Sequence, residues 1–350
     1  MNRIDGLQWG RGIAAVLVVL CHAIAHPLPS QPELTWTIGV AGVTLFFVLS
    51  GFIMVVTTGH GRFSPGAFMT RRILRVVPLY YVMSILAAVL ALALPSAFKG
   101  TVFDIGHLVK SLLFIPAERP GSDEIVPVLK LGWTLNFEMY FYLIFAGFAW
   151  LDARQRALAV TLFFGASVVI GALTHFESPV LEFYTRRDTL AFVAGVWIGI
   201  LHINDRLSNW EPLALAGLVA GFALVMVNIY LVDVPLIDLV SSVTLFCACA
   251  VLLLAGRVNR YADRVPRWFL LSGDASYSIY LAHIFAIGAV YFALSGLPYL
   301  VQIVVAFTAG TAAGFFVYFA IERPLTRAAQ RAVLRPGRRA AAHVSPGAAE

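Results

Sequence analysis

Three groups of ionisable residues stand out because of the apolar sequence around them. In RGIAAVLVVLCH, residues 11–22, no charge separates Arg11 from His22. Eleven helical steps of 100° end about 20° past three full turns, so both side chains share one helix face about 16 Å apart along the axis. A neutral imidazole so placed can take a proton from a hydroxyl, and a guanidinium below it can grip a phosphate. The plainer readings are a snorkelling arginine and a histidine hydrogen-bonded to a neighbouring helix. Arg72 and Arg75 in MTRRILRVVPLYY, residues 69–81, are three apart on one face. They make either a second phosphate fork or a positive topology signal. Glu138 sits in GWTLNFEMYFYLIF, residues 132–145, about 9 Å inside the start of an apolar helix. An unpaired carboxylate there is expensive, so a histidine or arginine partner is expected, with His22 approaching from the other end as a candidate.

Weaker marks are read as structural. Ser50-Gly51 in FFVLSGFIM, residues 46–54, predicts close helix packing. GDASYSIYLAHIF, residues 273–285, resembles a helix start with Asp274 or Ser276 as cap, and places His283 inside an apolar span. Glu322 in IERP, residues 321–324, is expected to pair with an arginine. His26 follows His22 by one turn, but no HExxH and no third ligand of suitable spacing accompany them, so no metal centre is expected. The three cysteines, Cys21, Cys247 and Cys249, lie in apolar runs as packing residues.

The elements that must position these groups are membrane helices. Of 350 residues, 60% are hydrophobic and only 13% charged, with a mean hydropathy of +0.83, against roughly a quarter charged in soluble domains. Stretches of about 17–25 apolar residues, the length a bilayer core needs, fall at 12–29, 37–57, 77–94, 132–151, 157–173, 188–202, 212–231, 236–255, 277–294 and 300–321. An even number puts both termini on one side, and most of the 25 lysines and arginines fall on that side, which makes it cytoplasmic. This loop distribution explains the net charge of +6, and nucleic acid is not an expected partner. The first span carries no small-residue cleavage site and reads as retained. In the long outer loop 95–131, IGHLVKSLLFIP is suited to the membrane interface. The expectation is an all-α integral membrane protein of about ten transmembrane helices with cytoplasmic termini. Residues 1–331 form the membrane-embedded domain, and 332–350 a disordered basic tail.

Taken in order, IDGLQWGRGIAAVLVVLCH, FFVLSGFIM, RRILRVVPLYY, WTLNFEMYFYL, DASYSIYLAH and IERP resemble acyltransferase family 3 of bacterial membrane proteins, over residues 1–330. The opening IDGLQWGRGIAA is similar to the subgroup of exopolysaccharide-production acetyltransferases. The resemblance implies transfer of an acyl group, commonly acetyl from acetyl-CoA, to a hydroxyl of a cell-envelope or exported saccharide, in the bacterial cytoplasmic (inner) membrane. It makes Arg11 and His22 the family's Arg-x10-His pair, and Arg72 and Arg75 its Arg-x-x-Arg pair. Two departures are expected from the family pattern: its common LDGLRG is interrupted here as IDGLQWGRG, and the C-terminal hydrolase-like domain that some members carry is not expected.

The mechanism this suggests is direct transfer. Acyl-CoA is a co-substrate, with no tightly bound cofactor, and Arg11, Arg72 and Arg75 hold its phosphates. His22 is the general base, oriented by Glu138 as a triad carboxylate orients its histidine. The acceptor is a saccharide or lipid-linked saccharide arriving from outside. Alternatives are an acyl-enzyme on Ser50 or His22, a multi-pass transporter or flippase, and haem ligation by His22, His26 and His283. Against the transporter stand the missing internal repeats and the lack of glycine- or proline-broken helix pairs.

Overall fold

A backbone crossing hydrocarbon must satisfy its own N–H and C=O groups, and the long apolar runs do so as helices. The computed structural model describes residues 4–26, 32–94, 103–230, 238–264 and 267–334. In chain order the helices are α1 (Asp5–Ala25), α2 (Pro32–Thr58), α3 (Pro65–Ala93), α4 (Ile105–Leu112), α5 (Trp133–Gly147), α6 (Ala153–Leu173), α7 (Pro179–Tyr184), α8 (Leu190–Ile203), α9 (Leu207–Tyr230), α10 (Leu239–Leu253), α11 (Arg267–Ala293), α12 (Tyr299–Val317) and α13 (Arg323–Leu334). Among the described residues no strand forms beyond an isolated bridge between Glu118 and Ile125.

Eight helices are long and apolar enough to cross a bilayer: α1, α2, α3, α6, α9, α10 with the turns that continue it to Tyr261, α11 and α12. The other two expected spans, 132–151 and 188–202, do fold as helices, but α5 has 15 residues and α8 has 14. At 1.5 Å per residue each rises only about 21–22 Å against a hydrocarbon core of about 30 Å. α8 is an interior element, with Phe192 and Val196 fully buried, while α5 buries Phe137, Phe141 and Phe145 and turns Leu143 outward. A helix packed largely against other helices need not match the bilayer alone. The π turn Tyr318–Glu322 joins α12 to α13, and α13 runs to Leu334, so the expected tail beyond it lies outside the described residues.

The interior is built by close backbone approach. α2 lies along α8, α1 and α10, and α1 along α11, which in turn packs on α12. A Cβ on Gly51 would collide with the Phe192 carbonyl and one on Gly195 with the Val48 carbonyl, so the small pair at 50–51 is a helix contact, as its type predicts. Gly273 has the same role against the Gln8 backbone of α1. That contact also corrects the expected helix start at Asp274 or Ser276: α11 begins at Arg267 and runs straight through both. Gly-Asp-Ala-Ser looks like a cap in one dimension and is a helix-crossing point in three.

At the end of the bundle from which α1 starts, one buried arginine ties three segments together. Arg156, 1% exposed, donates through Nη1 to the carbonyls of Leu151 (2.9 Å) and Gly61 (3.3 Å). Its Nη2 donates to Thr58 Oγ1 and the Gly59 carbonyl, each at 3.4 Å. Its guanidinium lies 4.8 Å from the centre of the Phe63 ring and 5.1 Å from that of Phe145. Counted in sequence as one more positive charge of an inner loop, it is instead a clamp on the turn that feeds α3. At the opposite end α4 is amphipathic in the membrane sense: Ile105, Val109 and Leu113 are exposed, while His107 and Ser111 are buried against the body of the protein. Tyr80 donates to the Ser111 carbonyl at 3.1 Å, and Ser111 Oγ accepts from Val128 N at 2.9 Å. An apolar face turned outward fits the interfacial position expected of this stretch. Asp238 caps α10 there and pairs with Arg187 at 2.7 Å; burial alone would raise its carboxyl, but hydrogen bonds from Ser241 and Arg187 hold it below its ordinary value.

Candidate active site

The third helix begins at a capped terminus, with Ser64 accepting from Ala67 N and Pro65 in the first turn, and this fixes the register of Arg72 and Arg75. Arg11 reaches the same place from α1 and Glu138 from α5. Together they line a cavity of about 140 Å³, with Ser50, Tyr142, Tyr277 and Tyr280 also in its wall. The structure therefore brings together four of the five residues singled out in sequence, Arg11, Arg72, Arg75 and Glu138, from three helices.

The arginines of this cavity are incompletely used by the protein. Arg72 Nη2 donates to Thr57 Oγ1 at 3.2 Å, and its guanidinium lies 5.5 Å from the Phe68 ring centre and 5.8 Å from that of Tyr142. Its Nε is buried without an acceptor among the described residues. Arg11 and Arg75 have no hydrogen bond or ion pair to a described residue. Three guanidinium groups thus converge on a partly enclosed space whose wall carries one carboxylate, Glu138, an excess of positive charge suited to phosphate or another multivalent anion.

Glu138 is held locally. Tyr142, one turn on in α5, donates a short hydrogen bond to its Oε1. Ser50 Oγ lies 3.3 Å from the same oxygen and 3.4 Å from the Tyr142 hydroxyl. The expected contact with His22 is not made. Glu322 likewise accepts from Ser278 Oγ at 2.6 Å, where an arginine was expected. In both cases a hydroxyl on a packed helix satisfies the carboxylate.

His22 does not line the cavity. Its Nδ1 lies 2.9 Å from the Val18 carbonyl of its own helix and 3.4 Å from His283 Nε2 of α11, with ring centroids 5.0 Å apart. The imidazole faces the protein and not lipid. Tyr280, which does line the cavity, stands one turn before His283 with its ring centre 6.3 Å away. Tyr280 is itself fixed by donation to the Leu131 carbonyl at 2.9 Å and by contact with Thr134 Oγ1 at 2.8 Å. His26, beyond His22, stacks on Tyr291 at 4.2 Å and 7°. Sequence reasoning missed Tyr142 and Tyr280 as parts of the site, although the four-residue spacing of Glu138 and Tyr142 on one helix face was available. It treated His283 as packing.

Comparison with known proteins gives a consistent picture. The family profile described as "Acyltransferase domain" matches residues 4–323. The chain is 39% identical over 302 residues to the "Exopolysaccharide production protein ExoZ" of Rhizobium meliloti (strain 1021), covering 83% of this chain and 91% of that protein. It is 30% identical over 150 residues to the "Acyltransferase MdmB" of Streptomyces mycarofaciens, 41% of this chain and 37% of that one. It is 33% identical over 191 residues to "Protein 2 in picA locus" of Rhizobium radiobacter, 49% of this chain and 94% of that one. No solved structure matches the chain.

Proposed function

The chain belongs to this acyltransferase family, and from that premise we propose that it moves an acyl group, acetyl in the first instance, from acyl-CoA to a hydroxyl of an exported or cell-envelope saccharide. The observation that carries the donor assignment is the cavity wall: Arg11 and Arg75 face it with no partner among the described residues, and Arg72 faces it half-paired. A nucleotide carrier supplies the phosphates that such a cluster lacks. The saccharide acceptor is supported by the name of the Rhizobium meliloti relative.

In the reaction so proposed, the carrier enters at the arginine-rich end, which is the cytoplasmic one in a bacterial inner membrane. Its thioester arm extends past Tyr280 toward His22. The acceptor approaches from the other end of α1. His22 removes the hydroxyl proton as the alcohol oxygen bonds to the thioester carbonyl carbon; the carbon–sulfur bond breaks, and the departing thiolate takes that proton back from the imidazolium. Glu138 acts at the cavity, where it fixes the hydroxyls of Tyr142 and Ser50, and not on His22. Ser50 has its hydrogen-bonding reach directed to Glu138 and Tyr142, so direct transfer is favoured over a serine acyl-enzyme, and Ser50→Ala is expected to keep turnover.

The test is thiol release by the purified protein in nanodiscs. Acetyl-CoA is expected to be consumed, with free CoA formed in proportion to added acceptor polysaccharide, and His22→Ala is expected to abolish this while the protein still folds. Saccharide moved across a vesicle membrane with acetyl-CoA untouched would replace this reading with a transporter. Mass spectrometry of polysaccharides from cells with and without the protein then identifies the acceptor by the loss of one acyl unit per repeat.

A further inference from the structure

We propose that His283 is a positioning residue that fixes the tautomer of His22, in the place that sequence reasoning gave to Glu138. The inference rests on the reading of His22 as general base. It follows from which atoms can carry a proton. A carbonyl oxygen only accepts, so the ring nitrogen 2.9 Å from the Val18 carbonyl, His22 Nδ1, bears a hydrogen. By the same reasoning His283 Nδ1, 2.9 Å from the Ile279 carbonyl, bears one too. A neutral imidazole has only one N–H, which leaves His283 Nε2 with a lone pair, and that atom lies 3.4 Å from His22 Nδ1.

The His22 Nδ1 hydrogen therefore faces two acceptors, a carbonyl and an imidazole lone pair. Its Nε2 is left with the free lone pair for the acceptor hydroxyl. When Nε2 takes the proton, the imidazolium still donates from Nδ1 to the same two acceptors, and no second proton has to move. His283 is held for this task. It is fully buried and anchored by its own helix, on a face of α11 that packs along α1. A carboxylate in this position would do the same work more strongly. A neutral acceptor does it without placing a second charge in the bundle.

The experiment has two arms on the full chain in nanodiscs. In the first, 15N-histidine spectra of the unsubstituted protein are expected to show His22 protonated on Nδ1; protonation on Nε2 overturns the proposal whatever any variant does. In the second, His283→Leu is expected to lower kcat by about 100-fold or more with the KM for acetyl-CoA unchanged, and to bring an Nε2-protonated form of His22 into the spectrum. His283→Gln, whose amide oxygen can accept from His22, is expected to recover turnover relative to His283→Leu. Full turnover by His283→Leu, with His22→Ala inactive, removes this inference alone. Turnover by His22→Ala removes the base assignment beneath it.

Discussion

Arg156 places its guanidinium among three carbonyls, a hydroxyl and two aromatic rings, whereas Arg11 and Arg75, at the same end of the bundle, face a cavity and make no hydrogen bond to a described residue. The side-chain type is one and the same. What differs is whether the fold or a ligand completes its hydrogen bonds. An arginine whose terminal nitrogens both find acceptors in the fold makes a structural clamp; one whose terminal nitrogens are left vacant at a cavity wall makes a binding site. Arg72 is intermediate, with one hydrogen bond, to Thr57, against four from Arg156, while the Nε of each is buried without a partner among the described residues.

The contrast is sharpened most by removing the clamp. Arg156→Ala removes the donor that serves the carbonyls of the turns leading into α3 and α6, and each polar group left buried without a partner costs about 1–3 kcal/mol. Thermal unfolding in nanodiscs is expected to show a loss of several kcal/mol, and a variant as stable as the parent would erase the distinction. The double variant Arg11→Gln with Arg75→Gln is expected to leave unfolding unchanged and to weaken acetyl-CoA binding about 100-fold, or ~2.7 kcal/mol, as read by labelled-CoA titration; unchanged affinity would break the comparison from the other side. Arg72→Gln should divide its effect, with about 1 kcal/mol of stability lost through the Thr57 contact and about tenfold weaker binding. Arg327→Gln, on the exposed face of α13, should change stability by less than about 0.5 kcal/mol and leave CoA affinity alone. An effect there equal to that of Arg75 would mean that bulk positive charge, and not the cavity, attracts the carrier.

Much of this architecture was legible in one dimension. Hydrophobic runs locate the helices, and the spacings Arg11 to His22 and Arg72 to Arg75 place each pair on one face, because these are local properties of a helix. What was not legible is which helix faces which. The partner of His22 lies 261 residues away, and nothing local in either segment specifies that pairing. Glu138 was rightly read as needing a partner and wrongly joined to His22, because two hydroxyls, one of them only four residues away, satisfy it first. The start of α11 misled for a related reason: Gly273 and Asp274 have the composition of a cap, and only the backbone of Gln8 against Gly273 shows why a glycine sits in mid-helix. The two short helices, α5 and α8, were counted with the spans because apolarity reports burial without saying whether lipid or protein is the neighbour.

The glycine contacts between α2 and α8 have a mechanical corollary. Two rods that touch backbone to backbone at Gly51 and Gly195 cannot shear or separate without losing that seam, so they travel as one stave. The third helix presents Ile85, Val89 and Leu92 outward and borders the arginine chamber from the periphery. The chamber thus has one wall, α2, locked into that seam, and another, α3, that makes no glycine-to-backbone contact of this kind among the described residues.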